Sequence, residues 1–233
     1  MMSTTPATAQ RQQVQSIDSV IVVSDRIDIP FSRQNRNIQI LTAADIQSIP
    51  HKSINELLSY VAGVDVRQKG PNGTQADIGI DGGTFDQTLI LIDGIKMSDP
   101  QTGHNMMNLP VTTDAIERIE ILKGPAARIY GVNAMMGVIN IVTRKGHQNE
   151  TYAKIYAGSS FDKDDSTNQQ YHNYGIQAYQ TIHSGSWNHL ITAGLDRGNG
   201  YRYNTAYRQL KAMYAGQGQL AEKNRDTGPR GYR

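Results

Sequence analysis

The stretch 116–146 reads Ile116-Glu117-Arg118-Ile119-Glu120-Ile121-Leu122-Lys123-Gly124-Pro125-Ala126-Ala127-Arg128-Ile129-Tyr130-Gly131-Val132-Asn133-Ala134-Met135-Met136-Gly137-Val138-Ile139-Asn140-Ile141-Val142-Thr143-Arg144-Lys145-Gly146. Two β-branched, apolar runs flank a connection of small residues. By propensity both runs are strands, and Gly124-Pro125 marks a sharp turn between them. Gly131 and Gly137 punctuate the connection, where the backbone turns or packs closely. Physics alone yields a strand, a turn, a short helix and a strand. It assigns no chemistry.

Working outward, the residues before this stretch alternate short strands with short helices. Residues 38–41 read as a strand. Thr42 to Asp45 opens a helix with a capping pattern, and Ser53 to Glu56 repeats the device before Leu57, Leu58 and Val61, with Gly63 as terminator. Residues 64–67 and 78–80 are strands, separated by the turn-rich loop Lys69-Gly70-Pro71-Asn72-Gly73-Thr74-Gln75. Residues 89–92 form an apolar run closed by Asp93-Gly94, a hairpin signal. A second polar loop, 98–108, contains Asp99, Gln101, Thr102, His104 and Asn105. Thr112-Thr113-Asp114 caps the turn that enters the opening stretch.

Ahead of this domain, residues 1–16 read as a disordered leader. Ala7-Thr8-Ala9-Gln10 looks like the small-residue end of a signal peptide without its apolar region, which leaves a misplaced start or a plain leader open. Ile17-Asp18-Ser19-Val20-Ile21-Val22-Val23-Ser24 is a short β-prone run in a flexible setting. It suits either an edge strand or a segment that adds to a partner's sheet.

After residue 150 the texture becomes alternating. Tyr152, Lys154 and Tyr156 oppose Ala153, Ile155 and Ala157. Tyr174, Ile176, Ala178 and Ile182 oppose Asn173, Gln177 and Thr181. Trp187, Ile191, Ala193 and Leu195 oppose Asn188, Thr192 and Asp196. Leu210, Ala212 and Tyr214 oppose Gln209 and Lys211. Period-2 alternation over about ten residues is the signature of membrane barrel strands, and it suits a soluble antiparallel sheet equally. The connections discriminate: long (161–170), short (Ser184-Gly185-Ser186), long (198–208), as barrels alternate outer loops with periplasmic turns. Residues 221–233 have no strand character.

Composition bounds the remaining classes. The 233 residues carry 23 Lys+Arg against 21 Asp+Glu, a net charge of +2, so no basic field calls for nucleic acid. No run approaches the ~18 apolar residues of a membrane helix, which leaves a β-barrel open. Cysteine is absent, so no disulfide or thiolate metal site forms. Asp65, Asp77, Asp81 and Asp93 sit at strand ends and turns, where Asp serves local hydrogen bonding instead of paired acid–base work. His104, His147, His172, His183 and His189 lack metal-ligand spacing. Gly124 to Gly131 lacks the Lys-Ser/Thr of a phosphate loop. Asp162, Asp164 and Asp165 read as a solvated acidic loop in preference to a Ca²⁺ site. No catalytic constellation, metal site or cofactor is expected.

The wording of 116–146 resembles the end of the plug domain of TonB-dependent outer-membrane receptors, with its I-E-x-I-E-V-x-x-G-P run, its Y-G and its G-x-I-N-I-x-T ending. The Asn55-Glu56-Leu57-Leu58 helix, the Gly63-Val64 that follows and Leu91-Ile92-Asp93-Gly94-Ile95 look like the same family. The resemblance covers about residues 17–146 and looks most like the vitamin B12 receptor and Bacteroidetes-type receptor group. Two departures stand out. Met135-Met136 replaces small or aromatic residues, and Asp81 stands where the family usually carries Arg, a charge that normally faces barrel-wall carboxylates.

The resemblance implies a fold class: an α+β plug domain, a small mixed sheet with short helices, over 25–146, then the first ~4 antiparallel strands of an incomplete transmembrane β-barrel over 147–220. It implies a TonB box at 17–24, with Asp18, Ser19, Val20, Ile21, Val22 and Val23 pairing with TonB. It implies substrate loops formed by Pro71, Asn72, Gly73, Thr74 and Gln75 and by Asp99, Gln101, Thr102, His104 and Asn105. The partners would be TonB with its inner-membrane energising complex, a small-molecule or metal-chelate substrate such as cobalamin or a ferric siderophore, and outer-membrane lipid. The plug would face the periplasm. A plugged barrel needs about 22 strands, so the chain is expected to be a fragment that does not transport by itself. The competing expectation is a soluble plug-like binding module. An extracytoplasmic enzyme finds no support in the residues.

Overall fold

The computed structural model describes residues 21–22, 29–30, 37–70, 75–99, 101–104, 106–146, 148–164, 168–202 and 204–218. The chain separates into a unit over Met1–Arg36 and a unit over Asn37–Arg233. In the first, β1 (Ile21–Val22) pairs antiparallel with β2 (Ile29–Pro30), Ile21 opposite Pro30 and Val22 opposite Ile29. Asp18, Ser19, Val20 and Val23 lie outside the described residues.

The second unit begins with β3 (Ile38–Thr42), α1 (Ala43–Ser48) and α2 (Ile54–Ser59). The expected capping box is present at α1. Thr42 Oγ1 accepts from Asp45 N–H at 3.3 Å, and Asp45 Oδ2 accepts from Thr42 N–H at 2.8 Å. At α2 the device is displaced by one residue: Ser53 Oγ accepts from Glu56 N–H, but Glu56 Oε2 reaches back to Lys52 N–H at 2.7 Å. The helix ends at Ser59 rather than at Gly63. Gly63 instead takes a left-handed φ of 76° just before β4 (Val64–Gln68), which pairs with β5 (Ala76–Ile80).

A hairpin follows, β6 (Thr88–Ile92) and β7 (Ile95–Met97). Asp93 and Gly94 have φ of 50° and 80°, the two positive angles that a primed hairpin turn needs and that Asp-Gly tolerates. Then come β8 (Ile116–Lys123), α3 (Ala127–Tyr130) and β9 (Gly137–Thr143). The opening stretch is therefore strand, turn, short helix, strand, as its residues predict. The cap read at Thr112-Thr113-Asp114 is present by position: Thr112 is the N-cap of the 3₁₀ turn Thr113–Ala115, without a side-chain hydrogen bond. The main sheet is mixed, in the order β3-β8-β9-β6-β7, with β6 and β9 parallel and the other pairs antiparallel. A Cβ on Gly137 would lie 2.4 Å from the Leu122 carbonyl oxygen, so only glycine lets β9 start against β8.

The core is apolar on both faces of β8 and β9. Ile119, Ile121, Ile139 and Ile141 are fully buried with Leu57, Leu58 and Ile80, while Leu122 and Val138 pack with Leu89 and Leu91 on the other side. One polar chain crosses it. Asn140 Oδ1 accepts from Gly94 N–H at 3.1 Å, Asn140 Nδ2 donates to Glu120 Oε2 at 2.9 Å, and Arg118 Nε donates to Glu120 Oε1 at 2.8 Å. Asp93 clamps the end of β9, accepting from Thr143 N–H at 2.9 Å and Thr143 Oγ1–H at 2.6 Å.

Four long strands complete the unit: β10 (Glu150–Lys163), β11 (Gln170–Ser184), β12 (Trp187–Gly198) and β13 (Tyr207–Gly218). They form one antiparallel meander in chain order. β10 runs past its expected end at 157 to Lys163, through a register irregularity between Ser159 and Lys163, which narrows the first long connection. Ser184 pairs with Trp187 across the short turn. The strands do not close into a barrel among the described residues. No described helix is long and apolar enough to cross a membrane.

The buried polar chain makes a graded prediction for the urea midpoint of the chain in detergent. Asn140→Leu is nearly isosteric and leaves Gly94 N–H and the inner carboxylate of Glu120 short of partners, so it should cost roughly 2–4 kcal/mol. Glu117→Gln removes only a half-exposed ion pair with Arg118 and should change the midpoint by less than about 1 kcal/mol. Equal effects would contradict the assignment.

Candidate functional site

Among the described residues, the Asp77 carboxylate links Lys69, at the start of the first polar loop, to His104 of the second. Asp77, at the start of β5, has a mostly buried side chain, 15% exposed. Its Oδ1 accepts from His104 Nδ1–H at 3.0 Å, and its Oδ2 lies 3.2 Å from Lys69 Nζ. A carboxylate only accepts, so the proton of that imidazole bond sits on Nδ1. The His104 ring is also held by Phe85, centroids 4.3 Å apart. The second loop is shaped by Asp99. Its carboxylate accepts from Gln101 N–H, Thr102 N–H and Thr102 Oγ1–H at 3.1, 3.3 and 2.7 Å, and Thr102 Oγ1 accepts from His104 N–H at 3.4 Å. Gln75 closes the first loop, its carbonyl accepting from Lys69 N–H at 2.9 Å. Pro71, Asn72, Gly73, Thr74 and Asn105 lie outside the described residues.

The structure therefore brings His104, Asp99, Thr102 and Gln101 into one ordered loop and ties that loop to Lys69 and Asp77. Sequence reasoning singled out the loop residues and missed Asp77 as the tie. It treated Asp77 as a local turn carboxylate, and a spacing of 27 residues to His104 carries no local signal. Partial burial pushes the Asp77 carboxyl up, but hydrogen bonds from His104 and Lys69, and their charges, outweigh it and hold the group below its ordinary value. Asp81 has φ of 48° at an exposed turn, where its amide donates to the Gly63 carbonyl at 2.8 Å. Asp tolerates that left-handed angle better than the expected Arg. Its carboxylate and Lys123 Nζ both converge on Gly63.

The second candidate region is the seam between the α+β part and the long-stranded sheet. The sheet turns its polar face inward. Gln177, Thr181, Thr192, Asp196 and Lys211 are buried, while Ile155, Ile176, Ile191, Leu210 and Tyr214 on the opposite face are exposed. Thr112 Oγ1 and Thr192 Oγ1 share a buried hydrogen bond of 2.7 Å. Arg144, just past β9, donates from Nε to the Asp114 carbonyl at 3.0 Å, lies 3.5 Å from Glu150, and covers the Tyr179 ring at 5.0 Å. Tyr179 OH donates to Glu150 Oε1 at 2.7 Å, and Lys154 Nζ stands 3.6 Å from Asp114 Oδ2. A cleft of about 310 Å³ separates this seam from α1, lined by Gln47, His51, Asp114, Arg144, Tyr152 and Lys154 among others. Farther along the inner face, Asp196 Oδ1 accepts from Tyr156 OH and from Gln177 Nε2. Among the described residues, no group of His and acidic side chains is arranged to hold a metal ion.

These features coincide with clear similarities. Residues 30–138 match the family model described as TonB-dependent Receptor Plug Domain. A vitamin B12 transporter of Vibrio vulnificus (strain CMCP6) is 32% identical over 168 residues, covering 71% of this chain and 27% of that protein. A vitamin B12 transporter of Vibrio cholerae serotype O1 (strain M66-2) is 33% identical over 139 residues, covering 59% of this chain and 22% of that protein. Among solved structures, the siderophore receptor PirA from Pseudomonas aeruginosa superposes with a TM-score of 0.61 at 22% identity, over 79% of this chain and 31% of that one. PirA from Acinetobacter baumannii superposes with a TM-score of 0.52 at 25% identity, over 69% of this chain and 24% of that one. The chain spans about a quarter of the length of the curated relatives it matches.

The Asp77 tie predicts a pH dependence. With its folded-state pKa depressed, the tie contributes fully above the ordinary carboxyl value of 3.8 and is lost as pH falls through the lower folded value. A spin label at exposed Gln101 should stay restrained at neutral pH and become mobile only in that acid range. In Asp77→Asn it should be more mobile throughout. A label equally restrained in both proteins at neutral pH would refute the tie.

Proposed function

With its TonB-dependent receptor plug domain the chain belongs to the TonB-dependent receptors, and we propose that it works in outer-membrane transport energised by TonB. Residues 25–146 are the plug, which faces the periplasm, and 147–220 belong to the barrel wall. The observation that carries this reading is the inverted sheet: apolar side chains outward, polar ones against the plug. In water that arrangement exposes the wrong face. In a bilayer it is the arrangement a barrel wall needs. It weighs against the soluble binding module.

The imported substrate is a scarce small molecule or metal chelate of the cobalamin or ferric-siderophore class. Its docking surface is formed by the loops carrying Pro71, Asn72, Gly73, Thr74 and Gln75 and carrying Asp99, Gln101, Thr102, His104 and Asn105. The Asp77–His104 bond supports this, since it ties the second loop to β5, which directly follows the first. TonB pairs with the segment Asp18-Ser19-Val20-Ile21-Val22-Val23 by adding a strand. The ladder that Ile21 and Val22 form with Ile29 and Pro30 supports this, since it shows the segment's capacity for strand pairing. No covalent chemistry is assigned to any residue, and the function is that of a transporter rather than an enzyme.

Two measurements test the reading. The chain should need detergent or lipid to stay monodisperse, and a monodisperse chain in plain buffer would favour the soluble module. In a pull-down with the periplasmic domain of TonB, Ile21→Pro should abolish capture because it removes a ladder donor and fixes φ. Ile21→Val should retain it, because main-chain bonds carry the affinity. Equal loss in both variants would place recognition in the side chain instead.

A further inference from the structure

The outward face of the long sheet is laid out in cross-strand rows. One row is Ile155, Ile176, Leu195 and Leu210, each opposite the next in register. Its members Ile155, Ile176 and Leu210 are 79%, 46% and 74% exposed. The row beneath, toward the short turn, is Ala153, Ala178, Ala193 and Ala212. The row above, toward the long connections, is Ala157, Tyr174, Arg197 and Arg208. Between Trp187 and Arg197 on β12 the strand climbs roughly 33 Å at about 3.3 Å per residue. A tilt of about 40° reduces this to roughly 25 Å, the height of a lipid-facing band. Trp187 marks its lower rim and the arginine row its upper rim.

Arg197 and Arg208 are direct cross-strand partners, both exposed and both on the lipid-facing side. Their Cβ atoms are then roughly 5 Å apart, a like-charge placement that is unfavourable on its own. Among the described residues neither forms an ion pair. Tyr174, next in the row, presents a half-exposed ring stacked on His172 at 6.3 Å. Two guanidinium forks and a phenol at the polar edge of an apolar band form the complement of a phosphate whose substituent is a hydrocarbon. The forks bind phosphate bidentately, the Tyr sits where amphipathic rings favour the interface, and the Ile/Leu row continues the contact into the acyl region.

We propose that Arg197 and Arg208, with Tyr174, form a binding site for the phosphate-bearing headgroup of a lipid in the leaflet on the long-loop side. This rests on the barrel-wall reading above. The occupant is a membrane lipid and not free phosphate, because the site opens sideways above an apolar row and is not a pocket. The anion removes the repulsion between the two arginines, so lipid and wall stabilise one another.

The test is partition of the full chain into vesicles of phosphatidylcholine alone and of phosphatidylcholine doped with phosphatidic acid, at low salt. The unaltered chain should prefer the doped vesicles. R197Q/R208Q should lose roughly thirtyfold of that preference and R208Q roughly fivefold, while both still enter phosphatidylcholine as the unaltered chain does. Three results would overturn the proposal: no preference for doped vesicles, an equal loss in R67Q, which removes a plug-surface charge, or abolition of the preference by inorganic phosphate at matched concentration. Failure of the unaltered chain to enter phosphatidylcholine at all would instead strike the barrel-wall reading beneath it.

Discussion

The antiparallel pair β8–β9 is the constraint on which the other elements hang. β3 adds to the outer edge of β8, β6 adds in parallel to β9, and β7 follows through β6. The pair brings Glu120 and Asn140 face to face inside the sheet, and Asn140 in turn holds the Asp93-Gly94 turn of the neighbouring hairpin. Two side-chain hydrogen bonds of Asn140 thus tie β8, β9 and the hairpin turn together. A buried carboxylate is tolerable only with partners, and Glu120 has two in Arg118 Nε and Asn140 Nδ2. The same pair sets the exit. β9 ends at Thr143, so Arg144 emerges beside the 3₁₀ turn and meets the wall strands that follow.

The wall obeys the opposite rule of polarity. In the sheet around β8–β9 both faces are apolar and buried. In β10–β13 the alternation sends polar side chains inward and apolar ones outward. The two sheets bury faces of opposite polarity, and the chain changes from one pattern to the other within the few residues after Thr143. The inner face is not a second core. Tyr179 and Leu190 join the apolar cluster, with Met213 and Ala215 packed against it. The rest of the contact is hydroxyl, amide and ion-pair chemistry.

Much of this was legible before any coordinates. Period 2 over 150–218 located four strands, and Asp93-Gly94 located the hairpin, because these signals depend on neighbours in sequence. The alternation could not say which face is buried, since a soluble sheet and a membrane wall write the same pattern with opposite burial. The long–short–long connections point to a barrel, and packing against the plug shows which face is buried. Long-range ties were equally silent. Asp77 and His104 are far apart in sequence, and Thr112 meets Thr192 across 80 residues. The Ser53 cap stands where its motif puts it, but the return bond of Glu56 goes to Lys52 and α2 ends before Gly63: a capping motif states which residues suit a helix end, and the neighbouring turn decides which backbone group they serve.

The composition of the seam has a mechanical consequence. Breaking an apolar contact exposes surface at about 25 cal/mol per Å² with nothing returned. Breaking a protein–protein hydrogen bond exchanges it for bonds to water at a net cost of about 1 kcal/mol. Thr112–Thr192 and the longer Arg144–Glu150 and Lys154–Asp114 pairs are bonds of the second kind, and a cleft already borders Asp114, Arg144 and Lys154. The β8–β9 core, in contrast, is apolar throughout its buried Ile and Leu positions. Tyr179, Leu190, Met213 and Ala215 add apolar contact across the seam, so its polar bonds are the part that water replaces at low cost.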